Sequence, residues 1–350
     1  FVASSVFVIK YCDLCALFWS LCVMFGGMWS QIKVSGDAPS PRAEHAMCAS
    51  DDGNQIFVFG GQVQNKAFND LWRFDVASSS WTKLDAPNGP EPRWGSTLTF
   101  YQNKLFLFGG EEVTSNNYKH LFVFDLSNNT WETPEQQGAA PAPRANHTAN
   151  LISLDSGKGM MIYAGKCISS SREFADLRVL NLDSMEWYNP YFAVHGGDPD
   201  EIPPCRKRHS AVVYGDKFYV FAGWQGNRNA GSYWADFYSL DMKNWTWSNP
   251  STRGTAPEAR AGHASAVYND KFFVWGGWGS AGRGNYGELN YMELDDFTWN
   301  RYRRGKPPAE RYDFGSVLIG EYLWVFGGQL DPQSREYTNE IWKAKLSAVY

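Results

Sequence analysis

A chain of 350 residues with 43% apolar residues, Gly 33, Pro 17 and Trp 16 has ample material for a packed core and many turns, which excludes a disordered or collagen-like polymer. Lys+Arg 32 against Asp+Glu 37 leaves a net charge of −5, which suits a soluble protein and argues against nucleic acid as a partner. Tryptophan is the compositional outlier, and so large a side chain calls for a repeated structural role.

In chain order, residues 1–27 stand apart as an apolar leader. From Leu14 to Ile32 no residue is charged, and Leu14–Trp29 is nearly all apolar. An unstructured leader ahead of a candidate initiator at Met28 is expected, with a signal sequence or a membrane anchor as the alternatives. Cys12 and Cys15 form one CxxC, but no second Cys or His pair at zinc spacing completes it, so neither a metal nor a cofactor is expected.

From Met28 onward the chain repeats. Trp29, Trp81, Trp131, Trp187, Trp247 and Trp299 are separated by 52, 50, 56, 60 and 52 residues. A Pro-rich approach to an arginine follows each: PSPR at Arg42, PEPR at Arg93, PAPR at Arg144, PPCR at Arg206, PEAR at Arg260 and PAER at Arg311. An apolar run then closes on Gly60-Gly61, Gly109-Gly110, Gly276-Gly277 or Gly327-Gly328, or on a relic of such a pair at Gly165 and Gly223. Leu71, Leu121, Leu177, Phe237 and Leu289 each stand 10 residues before the landmark tryptophan of their unit. Short alternating stretches bounded by Gly, Asn, Asp and Pro predict four strands per unit. The end units are incomplete in complementary ways, so the strand at Trp29-Ser30-Gln31-Ile32 is predicted to complete the last blade and remove two open edges.

These landmarks in register resemble the kelch repeat, whose unit is one four-stranded propeller blade. The resemblance implies an all-β fold: a single six-bladed kelch β-propeller over 28–350 with four-stranded antiparallel blades, closed by the N-terminal strand. Some kelch-like propellers are enzymes, among them copper oxidases resembling galactose oxidase and plant specifier proteins. The iron-site pattern of the latter, ExxxDxxxC, does not occur here, and neither do P-loop or GxGxxG signatures. His45, His147, His209 and His263 share one repeat position, which predicts a scaffold histidine at the start of an inner strand rather than a catalytic one. No catalytic residue is assigned.

In kelch substrate adaptors, arginines at the corresponding place line the central pocket and hold acidic peptides. By that resemblance Arg42, Arg93, Arg144, Arg206, Arg260 and Arg311 form a candidate ring for binding a partner, with pairing to blade carboxylates or carbonyls as the competing role. An acidic insertion around Gly196–Glu201 lies ahead of Arg206. Two aromatic loops follow, contributing Trp224, Arg228, Tyr233, Trp234, Trp278, Arg283 and Tyr286, residue types that dominate binding hot spots. The expectation is a non-catalytic, cytoplasmic scaffold or adaptor that binds another protein through an acidic or extended segment. The alternatives are a secreted or lumenal carbohydrate-binding propeller, for which sequons at Asn128, Asn146 and Asn244 leave room, and a propeller enzyme.

Overall fold

A computed structural model describes residues 28–349 except 65, 115, 191–201, 228, 229, 280–283 and 332. The leader, the acidic insertion, His195, Arg228 and Arg283 therefore lie outside the described residues.

The sheets are six blades in a ring, as the repeat predicts. In the first blade the strands Ala46–Ala49, Gln55–Phe59, Leu71–Asp75 and Ser80–Lys83 pair consecutively and antiparallel from the axis outward. The second strand is buried almost throughout, because it is covered on both faces by neighbouring blades. The sixth blade has the strands Gly315–Ile319, Tyr322–Phe326 and Ile341–Lys345, and Trp29–Gln31 pairs antiparallel with the last of these, Trp29 facing Ala344. Two blades exceed the predicted four strands. Gln137–Gly138 runs parallel to the tryptophan strand of the third blade, and Arg253–Gly254 does the same in the fifth, so an interblade connection covers each outer edge.

Tryptophan periodicity has a direct cause in the packing between blades. Each landmark tryptophan meets the aromatic residue that immediately precedes the glycine pair, or its Ala-Gly relic, in the preceding blade: Trp81 on Phe326, Trp131 on Phe59, Trp187 on Phe108, Trp247 on Tyr163, Trp299 on Phe221 and Trp29 on Trp275. Their ring centroids lie 4.8–5.6 Å apart. Such tilted and edge-on pairs contribute about 0.5–1.5 kcal/mol each beyond the area they bury.

The glycine pair lets the chain pass close to the start of its own blade. A Cβ on Gly61, at φ 90°, would lie 2.8 Å from both the Ala43 carbonyl oxygen and the His45 Cβ. In the third and fourth blades the first glycine is replaced by Ala164 and Ala222, which keep φ 59° and 57°. There the strands run on through a bulge, giving long hairpins, Gly157–Cys167 with Arg172–Asn181 and Lys217–Asn227 with Ala230–Asp241. In the first and sixth blades, both with Gly-Gly, the second strand stops at the pair and a separate short ribbon follows.

At the axis, the residue two after each blade arginine takes positive φ: Glu44, Gly95, Asn146, Arg208, Gly262 and Asp313. Each donates its backbone N–H to the carbonyl of its counterpart in the preceding blade, over 2.7–3.0 Å, and Glu44 donating to Asp313 closes the circle. A closed ring of six peptide hydrogen bonds thus joins every blade to both neighbours.

Gly61→Ala is expected to destabilise the fold by about 2–4 kcal/mol, combining a left-handed alanine with a backbone clash. Gly215→Ala, at φ 57° with nothing within 4 Å, is expected to cost only about 1 kcal/mol. Urea titration of the two variants beside the parent checks the difference.

Candidate functional site

The six blade arginines do not form an open binding ring. All are 0–1% exposed, and a guanidinium withdrawn from water must be paired. Each donates Nε–H to the carbonyl two residues back and Nη1–H to the carbonyl of the first residue of the glycine pair, or of the alanine that replaces it. Five also grip an acid in their own blade: Arg42 Asp70, Arg144 Asp176, Arg206 Asp236, Arg260 Glu288 and Arg311 Glu340, at 2.6–2.8 Å. That acid immediately precedes the apolar landmark of the third strand. In the second blade the position is His120, and Arg93 turns instead to Glu91. Blade pairing, the competing role, is therefore the one these side chains fill.

The predicted aromatic set divides in two. Phe68, Tyr118, Phe174, Trp234 and Tyr286 occupy one repeat position and lie over the blade arginines at 3.9–6.0 Å, so Trp234 and Tyr286 are lids on Arg206 and Arg260. Trp224 and Tyr233 stack at 6.0 Å on the fourth-blade hairpin, and Trp278 packs against Tyr312.

The four repeated histidines are buried between blades. His147, His209 and His263 hydrogen-bond through Nε2 to Thr97, Thr148 and Ser210 of the preceding blade, and His45 Nε2 accepts the Gly315 N–H. Burial, reinforced by the neighbouring blade arginine, holds His45, His147 and His263 down to about 3 and His209 well below its ordinary value. They are neutral scaffold groups, in line with their shared position.

The open feature is a cavity of about 820 Å³ where the channel widens on the face bearing the arginine loops. Its wall comes from two further repeat positions that the fold brings side by side. The residue after each blade arginine bridges antiparallel to the residue after the glycine pair: Ala43 to Gln62, Trp94 to Glu111, Ala145 to Lys166, Lys207 to Trp224, Ala261 to Trp278 and Tyr312 to Gln329. Scaffold positions repeat around the ring, whereas these change from blade to blade. Cations gather on the third and fourth blades. Lys166 lies 3.0 Å from Glu111, which also accepts the Trp94 indole N–H at 2.6 Å. Lys207 pairs with Glu173, and Glu173 accepts the Gly226 N–H. Arg172 is exposed, with no carboxylate partner among the described residues. Beside them stand Val113 and Ile168, 56% and 38% exposed, two of the few large apolar side chains left open.

Below the mouth Arg208 reaches across from the fourth blade. Its Nη2 lies 2.7 Å from Glu44 and 3.4 Å from Asp313, which belong to the first and sixth blades. Burial and the adjacent Glu44 push Asp313 up to about 7 against the pull of Arg208. Burial opposes the charge on Glu44 as well, but Arg208 and Lys166 together hold it below the usual carboxylate range. Arg208 and Lys207 were not singled out from sequence. The signal was the KR that follows the fourth blade arginine, where the other blades carry neutral or acidic residues. Asn146, one of the three sequons, lies buried in this throat. Among the described residues no group of three His, Cys, Asp or Glu side chains could hold a metal ion.

Comparison with known proteins matches the KLHDC2/KLHL20/DRC7 Kelch-repeats domain over residues 17–223 and 197–348. Acyl-CoA-binding domain-containing protein 4 of Arabidopsis thaliana is 26% identical over 89% of this chain and 46% of its own length. Kelch domain-containing protein 3 of Rattus norvegicus is 27% identical over 82% of this chain and 77% of its own length. Host cell factor 1 of Homo sapiens is 30% identical over 80% of this chain and 15% of its own length. The chain thus spans less than half of the Arabidopsis protein and a small part of host cell factor 1.

Two measurements follow from this geometry. A group whose folded pKa lies below its unfolded value contributes stability that is present above the unfolded pKa and lost as pH falls toward the folded one. For these histidines the window runs from the ordinary 6.5 down to about 3. Unfolding free energy from urea titrations should fall as pH drops through that window, and His147→Gln should make the fall shallower by up to about 1.4 kcal/mol per pH unit. In the same assay Arg206→Ala, which empties a buried guanidinium site and leaves two carbonyls and the part-buried Asp236 without their donor, should cost about 3 kcal/mol, whereas Arg172→Ala stays within about 0.5 kcal/mol.

Proposed function

The chain belongs to the kelch-repeat family, and on that premise we propose that it is a non-catalytic scaffold or adaptor that seats an extended segment of a partner protein across the mouth. The supporting observation is the contrast between positions. Arginine, glycine pair, histidine and tryptophan recur because the ring needs them, while the mouth-facing residues between them form a different pair in each blade. Such a surface is free to be specific.

The chemistry of the mouth describes the segment. Arg172, Lys166 and Lys207 offer an anionic side chain a cationic wall, and Arg208 lies beneath them with Nε buried and unpaired. A carboxylate entering here would compete with Glu111, Glu173, Glu44 and Asp313 for cations already paired, so its net gain depends on Arg172 and on the open donors of Arg208. Val113 and Ile168 give an apolar platform, and Trp94 and Trp224 give flat amphipathic surfaces. An extended peptide carrying an acidic residue beside an apolar one fits both features. The non-catalytic reading draws support from the pairing of the mouth carboxylates with cations, and from relatives named for kelch domains and host cell factors.

The test uses exposed residues that the fold does not need. Affinity capture with mass spectrometry, followed by titration of the captured partner's segment, should show Ile168→Asp combined with Arg172→Glu weakening binding about 10- to 100-fold. Tyr214→Asp on the opposite face should leave binding unchanged. Equal affinities in the parent and the double variant would move the site elsewhere.

A further inference from the structure

The throat below the mouth is electrically incomplete. Glu44, Asn146, Arg208 and Asp313 belong to the circle of positive-φ residues at the axis, and their side chains surround a cavity of about 140 Å³. Two carboxylates there face one guanidinium, with Arg208 Nη2 at 2.7 Å from Glu44 and 3.4 Å from Asp313. The four repeated histidines in the same wall are neutral, since burial holds them far below their ordinary value. Lys166 attracts both acids from the mouth but is paired with Glu111. With both acids ionised, the throat carries one uncompensated negative charge.

Hydrogen bonding is incomplete in the same place. Glu44 Oε1 accepts from Arg208 and, at 2.8 Å, from Gln62 Nε2. Its Oε2 is buried with no partner among the described residues, and so are Ser96 Oγ and Asn146 Nδ2 in the same wall. These three residues are 9% exposed or less, and buried polar atoms left unpaired are rare in folded proteins. The circle also makes room for oxygen. Its two glycines, Gly95 and Gly262, stand where a Cβ would collide with Asn146 Oδ1 and Asp313 Oδ1. Glu44 and Arg208 line the mouth as well as this cavity, so the throat opens from the mouth.

From this set we propose that the throat is a binding site for one monovalent cation, an alkali ion or ammonium, held by Glu44 and Asp313 and completed by water. A single positive charge neutralises the site. A divalent ion would overshoot, leaving a positive charge buried beside Arg208. Transition metals lack a ligand set, since no three His, Cys, Asp or Glu side chains among the described residues are placed to hold one. In the ion's absence a proton supplies the missing charge, and burial with Glu44 pushes Asp313 up to about 7 against Arg208 and Lys166. Ion and proton therefore compete, and the ion binds more tightly as pH rises through that value. The site rests on the throat alone and does not depend on what the mouth receives.

Thermal unfolding of the full chain is to be followed at pH 8 in buffers of equal ionic strength, with choline chloride replaced stepwise by the sodium, potassium or ammonium salt. Binding to the folded state should raise the midpoint in a saturating way, by about 2 °C at about ten times the dissociation constant. At pH 6 half-saturation should need roughly tenfold more salt. Asp313→Asn and Glu44→Gln, which keep the shape of the throat and remove its excess charge, should each abolish the cation-specific rise. Crystals of the parent soaked in thallium(I) acetate should show an anomalous peak in the throat beside Glu44 and Asp313. Equal midpoints in all the salts, as water alone in the throat would give, would overturn the proposal. So would a rise that survives in Asp313→Asn, a thallium peak found only outside the throat, or a larger rise in calcium chloride.

Discussion

Everything in this ring depends on one contact repeated six times, an outer-strand tryptophan laid on the aromatic residue just ahead of the glycine pair, or its relic, in the blade before it. A four-stranded sheet on its own has two apolar faces and no means of covering either. Here each blade covers its neighbour, and the last uncovered face disappears only when Trp29 meets Trp275. The N-terminal strand therefore does more than fill an edge in the sixth blade: it carries the aromatic ring that seals the sixth blade to the fifth. Histidine and glycine sit at the same seam. The imidazole fills the space beside the preceding blade's glycine pair, where a Cβ on Gly109 would lie 2.9 Å from the His147 ring.

With the seams fixed in this way, the loops on one face are relieved of structural duty at two positions per blade, and it is there that the blades differ. Burying six guanidinium groups is costly, and the structure offsets it with carbonyls, carboxylates and aromatic faces within each blade. Those arginines fix the path of the chain into the inner strand, and so fix where the following two residues point. The residues that can meet a partner are thus neighbours in sequence of residues that cannot, and the fourth blade shows it most plainly in Arg206, Lys207 and Arg208. The replacement of Gly by Ala164 and Ala222 has a parallel effect in the other loop, turning a strand break into a continuous hairpin that raises one side of the mouth.

The fold was almost fully legible from spacing, because seam residues recur at intervals set by blade geometry and leave a periodic trace. Blade number, the closing strand and the scaffold role of the four histidines all follow from that trace. The two additional parallel strands do not, since Gln137–Gly138 and Arg253–Gly254 lie in connections with no alternation of their own. The site was less legible for a physical reason. Recurrence of arginine marks a structural need, and the acid that meets it was visible one residue before the third-strand landmark, at Asp70, Asp176, Asp236, Glu288 and Glu340. Trp234 and Tyr286 stand two residues before such an acid and share its structural role. The mouth instead consists of repeat positions whose residues leave no periodic trace, and only the pairing of strands shows that Lys207 stands beside Trp224, or Trp94 beside Glu111.

The circle of backbone hydrogen bonds at the axis has an electrostatic result as well as a mechanical one. Every N–H in it points the same way around the ring, so the six peptide dipoles follow one another in circulation and largely cancel along the channel. The throat consequently has no built-in polarity of the kind a helix end supplies. Whatever potential an entering group meets is written by side chains alone. Replacing the Glu44 or Asp313 side chain would make that potential more positive and replacing Arg208 more negative, while every amide of the circle keeps its partner, so in this architecture the charge of the pore is set separately from the backbone ring that closes it.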